Sequence, residues 1–217
     1  LCLKQQINPH FLYNTLDMIR LKAAINKDTE VSQMLMKLVS FYRLSTKVHD
    51  SMVAVRKEVE MLDAYMSLMC YRYSDIIYRS EIEPGALDIE IPNFILQPLL
   101  ENSLMHGLKD RRYQGTIILK IYRNEQDKNE LNIWLIDDGI GIPDDKMAEL
   151  NAYNAKDSET LYRVQTRTEG DRTHLGVINV ISRLKLYYQE NAEVIYMRNE
   201  TGGTTVKIKI KTASEET

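Results

Sequence analysis

The sequence of 217 residues lacks several features that would assign a protein to a class at once. Its two cysteines, Cys2 and Cys70, give neither a metal-ligand spacing nor a disulfide framework, so the chain fits a reducing compartment. The formal net charge of -3 argues against a nucleic-acid partner, because proteins that bind phosphate backbones usually show a basic excess. No apolar run approaches the length that spans a bilayer, and the first residues do not resemble a signal peptide.

The composition is that of an ordinary globular protein, with 44% apolar and 27% charged residues. The length allows one large domain or two small ones. Internal repeats and low-complexity tracts are absent from the sequence. Because the chain opens inside a helical pattern without a capping residue before it, we expect a piece of a longer protein.

The first stretch, residues 5–14, has the pattern of an amphipathic helix. Its apolar positions recur at helical spacing, at Leu3, Ile7, Phe11, Met18, Leu21 and Ile25. His10 lies off that apolar face, beside Pro9, whose missing N–H predicts a kink. An exposed histidine at a distorted turn is a candidate nucleophile or proton carrier, because imidazole is partly neutral near pH 7. On this stretch alone, an ordinary surface histidine is the more common explanation.

Two more helices are predicted before residue 75. Asp28 or Thr29 caps the second helix, and the third follows residues 50–51, with apolar side chains from Met52 to Tyr73 in steps of three and four. A helical hairpin with such broad apolar faces would be underfilled by itself. Pairing with a second copy into a four-helix bundle would bury these faces, so we predict a homodimer.

After residue 75 the pattern changes to alternating strands mixed with helices. The predicted strands are 76–82, 87–91, 116–122, 131–136, 192–197 and 204–210, and the predicted helices are 92–107, 144–150 and 175–188. Residues 152–173 are polar and form either a functional lid or a disordered segment. Strands and helices in mixed order favour an α+β fold with helices layered on a sheet. We therefore predict a helical region, 1–75, and a second domain, 76–217.

Three motifs in the second domain point to a nucleotide, and the first lies in the helix at 92–107. Glu101, Asn102 and His106 are polar residues on this otherwise apolar helix. The side-chain oxygen of Asn102 is a suitable ligand for Mg²⁺, which usually shares its coordination shell with phosphate oxygens. The alternative is that these residues form the solvated side of the helix.

The second motif is Asp137-x-Gly139-x-Gly141 at the end of a strand. A carboxylate there accepts a hydrogen bond from an exocyclic amine such as that of adenine, and the glycines let the backbone approach a ligand. The third motif is Gly176 at the start of a helix, where free N–H groups bind anions, although a glycine there also permits close packing. The sequence has no Walker loop.

Five motifs in this order resemble a bacterial sensor histidine kinase of the LytS/YesM type, and the resemblance covers nearly the whole chain. The stretches are 6–14 (phosphoacceptor box), 97–107 (N box), 137–143 (G1 box), 175–180 (G2 region) and 202–205 (closing strand motif). The resemblance implies a dimerising phosphotransfer helix pair joined to a Bergerat-type (GHKL) ATP-binding domain, an α/β sandwich. It also implies ATP and Mg²⁺ as cofactors, a response regulator receiver domain as partner, and a place in the cytoplasmic portion of a bacterial cell-membrane protein.

The resemblance further implies roles for individual residues. His10 would accept the γ-phosphoryl group of ATP and later yield it to an aspartate of the response regulator, with Glu101 as a candidate general base. The nucleotide-binding roles fall on Asn102 as the Mg²⁺ ligand, His106, Asp137 for the adenine amine, Gly139 and Gly141 for the shape of the pocket, Gly176 for the phosphates, and Thr204 as a support for Asp137 or the adenine.

The chain departs from the family pattern at several positions. Phe11 follows the histidine where many kinases have an acidic residue, and Met105 stands where relatives often have a lysine near the phosphates. Candidate replacements for that lysine are Lys109, Arg163, Arg167 and Arg172. Arg172 and His174 stand where many kinases place glycines. His49 and His174 are interpreted as ordinary surface or loop histidines.

Two other functions compete with the kinase. A GHKL-type ATPase would use Glu101 to activate water, but it would have no use for an exposed acceptor histidine at position 10. A non-catalytic nucleotide-binding scaffold would agree with Met105 and with the glycine-poor lid. The five motifs together favour the kinase.

Overall fold

The structure is a computed structural model that describes residues 9–47, 51–157, 160–161 and 172–212. The chain divides into two compact units, one formed by Leu1–Asp50 with Val59–Ser74 and the other by Ser51–Glu58 with Asp75–Thr217. The boundary predicted between residues 75 and 76 lies within one residue of the boundary between Ser74 and Asp75 in the structure. The two divisions differ in that Ser51–Glu58 groups with the second unit. The assignment of separate functions to the two regions stays a prediction.

The first unit is helical. Helix α1, Pro9–Ile25, and helix α2, Thr29–Lys47, form a hairpin in which the Tyr13 and Tyr42 rings meet edge to face with centroids 5.2 Å apart. The Val31 N–H donates to Asp28 Oδ1 at 3.1 Å, so Asp28 caps α2 as predicted. The third helix, α3, covers Val55–Arg72, and its part from Val59 onward belongs to the first unit. No described helix is both long and apolar enough to cross a membrane.

The second unit carries a sheet of five described strands in the order β2-β4-β5-β7-β6. These strands are β2 (Ile76–Ile82), β4 (Gly115–Arg123), β5 (Glu130–Asp137), β6 (Ala192–Arg198) and β7 (Thr204–Lys211). Strands β2 and β4 are parallel, and the other neighbours are antiparallel. Helices α4 (Leu96–Asn102), α5 (Asp144–Ala152) and α6 (Arg172–Tyr188) accompany it, and α6 packs against β6 and α4. The predicted α+β fold with helices on a sheet is confirmed.

One face of the sheet is a continuous apolar layer because its strands alternate in step. The buried members of this layer include Ile117, Leu119 and Ile121 on β4, Leu131, Ile133 and Leu135 on β5, and Val206, Ile208 and Ile210 on β7. On the opposite face, Lys207 Nζ lies 3.8 Å from the centre of the Trp134 ring. The same alternation places the side chain of Asp137, at the end of β5, on the buried face.

One prediction about the start of the second unit is wrong. Met52–Ala54, predicted as the start of the third helix, is strand β1, which pairs antiparallel with β3, Glu90–Pro92. The pairing buries Val53 opposite Ile91, and this tertiary contact overrides the helical spacing. Strand β3 also lies at the end of the strand predicted at 87–91, and it follows a 3₁₀ turn, Pro84–Ala86.

Pro92 therefore ends a strand and does not open a helix, which is a further correction. Phe94 has a φ of 57°, a left-handed conformation that a helix does not accommodate, so α4 starts only at Leu96. Beyond Asn102 the chain continues as a π-helix over Ser103–Leu108. Short π-helical segments are rare and often lie at functional sites.

The remaining elements agree with the predicted ones to within about three residues. Part of the predicted lid, residues 158–159 and 162–171, lies outside the described residues, as do Leu3, Ile7 and His49. Helix α1 begins at Pro9 among the described residues, so the predicted kink involves residues outside them.

Strand β6 lies at the edge of the described sheet, and two asparagines satisfy its outward backbone groups. Asn151 Nδ2 donates to the Tyr196 carbonyl at 2.9 Å, while the Tyr196 N–H donates to Asn151 Oδ1 at 2.8 Å. Asn154 makes the same pair of bonds with Val194, at 2.6 and 3.0 Å. The side-chain amides thus replace a neighbouring strand at an edge that would otherwise be open.

We expect Asn151→Ala to lower the free energy of unfolding by about 1–2 kcal/mol, because it removes two hydrogen bonds from the Tyr196 backbone. Urea denaturation measures this change. The matched control is Asn191→Ala, which removes an exposed asparagine and leaves the midpoint where it is. Equal midpoints for the two variants would show that Asn151 does not stabilise the edge.

Candidate functional site

A cavity of about 750 Å³ opens in the second unit between the helices and one end of the sheet. Its lining includes six of the residues that the sequence predicted for the nucleotide site: Glu101, Asn102, His106, Asp137, Gly141 and Thr204. They come from α4, the π-helical segment, the end of β5, the loop after β5 and the start of β7. The fold therefore brings together residues that are more than 100 positions apart in the sequence.

Asp137 is the most constrained residue of the cavity, with 2% of its surface exposed. Oδ2 accepts a hydrogen bond from Ser103 Oγ at 2.9 Å, and Oδ1 accepts bonds from the N–H groups of Gly139 at 3.0 Å and Thr204 at 3.2 Å. Burial raises the pKa of this carboxyl, although the three donors oppose the shift. The carboxylate keeps acceptor capacity for a further donor from a ligand in the cavity.

The glycines after Asp137 allow backbone segments to pack directly on each other. A Cβ atom at Gly139 would lie 2.6 Å from backbone atoms of Gly107, so no other residue fits there. Gly141 has a φ of 75°, which favours glycine, and it lines the cavity. Gly139 itself lies behind the lining, so it shapes the cavity through Gly107 without facing the ligand space.

The start of α4 is held by a residue that the sequence did not single out. The buried Glu58 carboxylate accepts hydrogen bonds from the N–H groups of Phe94 at 2.7 Å and Leu96 at 3.2 Å. Burial raises the pKa of Glu58. Its carboxylate satisfies N–H groups that the end of a helix leaves free, and so it positions the helix that carries Glu101 and Asn102. The sequence could have indicated Glu58, because this charged residue lies at helical spacing from the apolar residues Val55 and Leu62.

Two lysines supply positive charge to the cavity. Lys109 was one of the predicted replacements for the lysine missing at Met105, and Lys146, on the first turn of α5, was not predicted. Met105 also lines the cavity and is 44% exposed. Arg163 and Arg167, two other candidates, lie outside the described residues, and Arg172 is the first residue of α6.

Besides Gly139, two predicted site residues are not part of the cavity lining. Gly176 on α6 does not line it, although its neighbour Val177 does, and a Cβ atom at Gly176 would lie 3.7 Å from Pro98 Cβ. Its contact with phosphates stays a prediction. His10 lies on α1 in the first unit, is exposed, and has a ring nitrogen 3.4 Å from Asn14 Nδ2.

The cavity has the chemistry that an adenine nucleotide requires. Its volume lies within the range of about 300–1,000 Å³ typical of ligand pockets. Its lining holds a buried carboxylate, apolar side chains and two lysines, groups that suit an exocyclic amine, a purine ring and phosphates respectively. Among the described residues, no group of three or more His, Cys, Asp or Glu side chains is arranged to hold a metal ion.

Comparison with protein families agrees with this geometry. Residues 88–214 match the model of the histidine kinase-, DNA gyrase B- and HSP90-like ATPases, and residues 1–77 match the model of the histidine kinases. Since the first of these models covers more than half of the chain, the chain belongs to the histidine kinase-, DNA gyrase B- and HSP90-like ATPase family. The two matches in this order have the arrangement of a two-component sensor kinase core.

Individual relatives point the same way. The chain is 31% identical to the sensor protein LytS of Oceanobacillus iheyensis over 94% of its own length and 33% of that protein. It is 27% identical to the sensor histidine kinase YpdA of Escherichia coli over 96% of its length and 33% of that protein. The chain thus spans about a third of these relatives.

Among solved structures, the histidine kinase domain of the blue-light activated histidine kinase from Erythrobacter litoralis has the same fold, with a TM-score of 0.50 and 18% sequence identity. The match covers 90% of this chain and 82% of that domain. At this level of identity the similarity concerns the fold alone.

We expect Asp137→Asn to stabilise the protein at neutral pH. The amide can keep all three hydrogen bonds while removing a buried charge. A folded-state pKa above the ordinary 3.8 means that the folded wild type loses stability as the pH rises through that pKa. The gain of Asp137→Asn should therefore be small below pH 3.8, grow as the pH rises, and become constant above the folded pKa.

Chemical denaturation over a pH series measures this gain. The control is Asp145→Asn, at an exposed position on α5 outside the cavity lining, which should give no such increase. A gain that does not change with pH would contradict the assignment of the effect to the buried carboxyl.

Proposed function

We propose that this chain is the catalytic core of a two-component sensor histidine kinase. It would use ATP to phosphorylate His10 and then pass the phosphoryl group to an aspartate of a response regulator receiver domain. The observation that carries the proposal is the buried Asp137, which accepts three hydrogen bonds and lines a nucleotide-sized cavity, in a chain whose first 77 residues match the histidine kinase model. The proposed place in the cytoplasmic portion of a bacterial membrane protein rests on the resemblance.

The lining residues suggest how the chain would hold ATP, which supplies the phosphoryl group. Asp137 would accept a hydrogen bond from the adenine amine, and Thr204 would support that carboxylate through its N–H group. Asn102 would bind Mg²⁺. His106, Lys109 and Lys146 are the lining residues suited to the phosphates; lysine ammonium groups neutralise charge that develops on the transferred group.

The chemical step would use His10 as the nucleophile. A neutral imidazole nitrogen attacks the γ-phosphorus, a P–N bond forms, and the bond from the γ-phosphorus to the β,γ-bridging oxygen breaks, which releases ADP. The other ring nitrogen then carries a proton that a base must accept, and Glu101 is the candidate. The exposed position of His10 suits a residue that must meet first the nucleotide and later a second protein.

We also propose that the first unit forms a homodimer. Apolar side chains of α1 are exposed in the single chain, with Phe11 66% and Ile25 79% exposed, and Met18 and Leu21 are exposed as well. A helical hairpin with such a face commonly buries it by pairing with a second hairpin in a four-helix bundle. The exposed face thus supports the dimer predicted from the sequence.

Met105 favours one alternative, a nucleotide-binding scaffold without phosphotransfer. It places a thioether in the cavity where relatives often have a lysine. Lys109 and Lys146 in the same lining weaken this alternative, because they restore positive charge to the cavity.

The experiment that tests the kinase is incubation with Mg²⁺ and γ-labelled ATP, scored as acid-labile label on the protein. We expect label on the unsubstituted chain and none on His10→Gln, since the acceptor nitrogen is lost. Because His10 is exposed, His10→Gln should keep its nucleotide affinity and its sedimentation as a dimer. Asp137→Asn should also fail to label, but because nucleotide binding is lost.

The other outcomes are distinct. Label that survives in His10→Gln places the acceptor elsewhere and contradicts the assignment of His10. Release of inorganic phosphate without label indicates an ATPase, and nucleotide binding with neither label nor phosphate indicates a scaffold.

We expect Glu101→Gln to slow labelling of His10 by about a hundredfold, because the amide cannot accept a proton. Its affinity for ADP should stay close to that of the unsubstituted chain, which separates catalysis from binding. The measurement is a time course of labelling at saturating ATP. Glu193→Gln, at an exposed position on β6, is the matched control and should label normally. Normal labelling by Glu101→Gln would exclude Glu101 as the base.

A further inference from the structure

The nucleotide cavity contains a buried hydroxyl group that the proposed function does not use. Tyr196 on β6 lines the cavity, is 4% exposed, and has a buried hydroxyl oxygen. Among the described residues, this hydroxyl has no hydrogen-bond partner. An unpaired buried hydroxyl is unfavourable, and such a group at the wall of a ligand cavity suggests a partner on the ligand.

The backbone holds Tyr196 in this position from both sides. On one side it pairs with Val206 of β7, and on the other its N–H and carbonyl groups bond to Asn151 at 2.8 and 2.9 Å. Because both backbone groups are bonded and the ring is buried, the strand holds the Tyr196 side chain in one place. Tyr196 is therefore a fixed residue of the cavity lining, and its buried hydroxyl is left without a partner among the described residues.

The position of Tyr196 relates it to the base and not to the phosphates. Thr204, whose N–H bonds to Asp137, is the diagonal neighbour of Tyr196 on the same face, at a typical separation of about 7–8 Å. The same lining includes the apolar residues Leu150, Val177 and Val206, and Val206 lies directly opposite Tyr196 on β7. An apolar wall suits the flat purine ring, whereas charged phosphates would lose solvation there.

The hydrogen-bonding groups of Asp137 and Tyr196 are complementary. The Asp137 carboxylate can only accept, which fits an exocyclic amine, whereas the ring nitrogens of a purine are acceptors and need a donor. A tyrosine hydroxyl supplies that donor. Burial raises the pKa of Tyr196, so the hydroxyl stays protonated at neutral pH.

We propose that the Tyr196 hydroxyl donates a hydrogen bond to a ring nitrogen of the bound purine, directly or through one water molecule, and thereby contributes to recognition of the base. This inference rests on the proposed function, since it requires an adenine nucleotide in the cavity. Tyr196 would be a binding residue and would take no part in phosphoryl transfer.

The test compares the unsubstituted chain with Tyr196→Phe, which removes a single oxygen atom. We expect the affinity for MgADP, measured by calorimetry, to fall about fivefold to tenfold. Without nucleotide, Tyr196→Phe should be as stable as the unsubstituted chain or more stable, because the oxygen has no partner to lose. Unfolding in urea measures this stability.

The matched control is Tyr188→Phe. The Tyr188 hydroxyl donates to the Glu90 carbonyl at 2.9 Å, and Tyr188 does not line the nucleotide cavity. Its loss should lower stability and leave the affinity for MgADP unchanged. The two Tyr→Phe variants thus have opposite expected patterns, so a general effect of the substitution cannot imitate the result.

Analogues of ADP identify the partner atom. In each analogue one ring nitrogen, N1, N3 or N7, is replaced by C–H. For the unsubstituted chain, one analogue should have an affinity lower than that of ADP by the same factor by which Tyr196→Phe lowers the affinity for ADP. For Tyr196→Phe, this analogue and ADP should bind almost equally, because the same hydrogen bond is already missing. Losses that multiply for all three analogues would overturn the proposal.

The outcomes also separate this inference from the proposed function. Equal MgADP affinity for the unsubstituted chain and Tyr196→Phe overturns the role of Tyr196 and leaves the kinase in place. Absence of MgADP binding by the unsubstituted chain overturns the nucleotide site, and this inference with it.

Discussion

A buried carboxylate connects the parts of the second unit. The three donors to Asp137 come from the π-helical segment, the loop after β5 and the first residue of β7, so one side chain ties together three segments that are distant in the sequence. Burying that charge opposes folding, and the three hydrogen bonds offset only part of the penalty. A residue that weakens the fold while it organises a cavity is typical of a binding site.

The π-helical winding of Ser103–Leu108 explains how the loop after β5 can lie so close to the helix. The wider turn leaves the Gly107 carbonyl free to accept a hydrogen bond from the Ile140 N–H at 3.1 Å. Gly139 then packs on Gly107 without an intervening side chain. The winding of the helix and the glycine of the loop are therefore parts of one arrangement, which sets the shape of the cavity.

The structural features that depend on neighbouring residues along the chain could be predicted from the sequence. Alternation in β5 placed Asp137 at a strand end, and the strands and the motif residues followed from such local patterns. The failures depend on distant partners. Met52–Ala54 has helical spacing but pairs with Glu90–Pro92, and Glu58 finds its backbone donors 36 and 38 residues later. Tyr196 has the pattern of an ordinary strand residue, because only the folded cavity shows a hydroxyl without a partner.

The contact between Gly139 and Gly107 has a consequence for how such a domain would decay in evolution. A Cβ atom at position 139 would meet backbone atoms, which cannot move away by changing rotamer. A substitution of Gly139 would therefore destabilise the fold whether or not nucleotide is bound. An asparagine at position 137 would instead preserve the fold and remove the acceptor. A descendant that had lost its nucleotide would therefore keep its glycines and change Asp137, so the carboxylate is a better marker of a working site than the glycines around it.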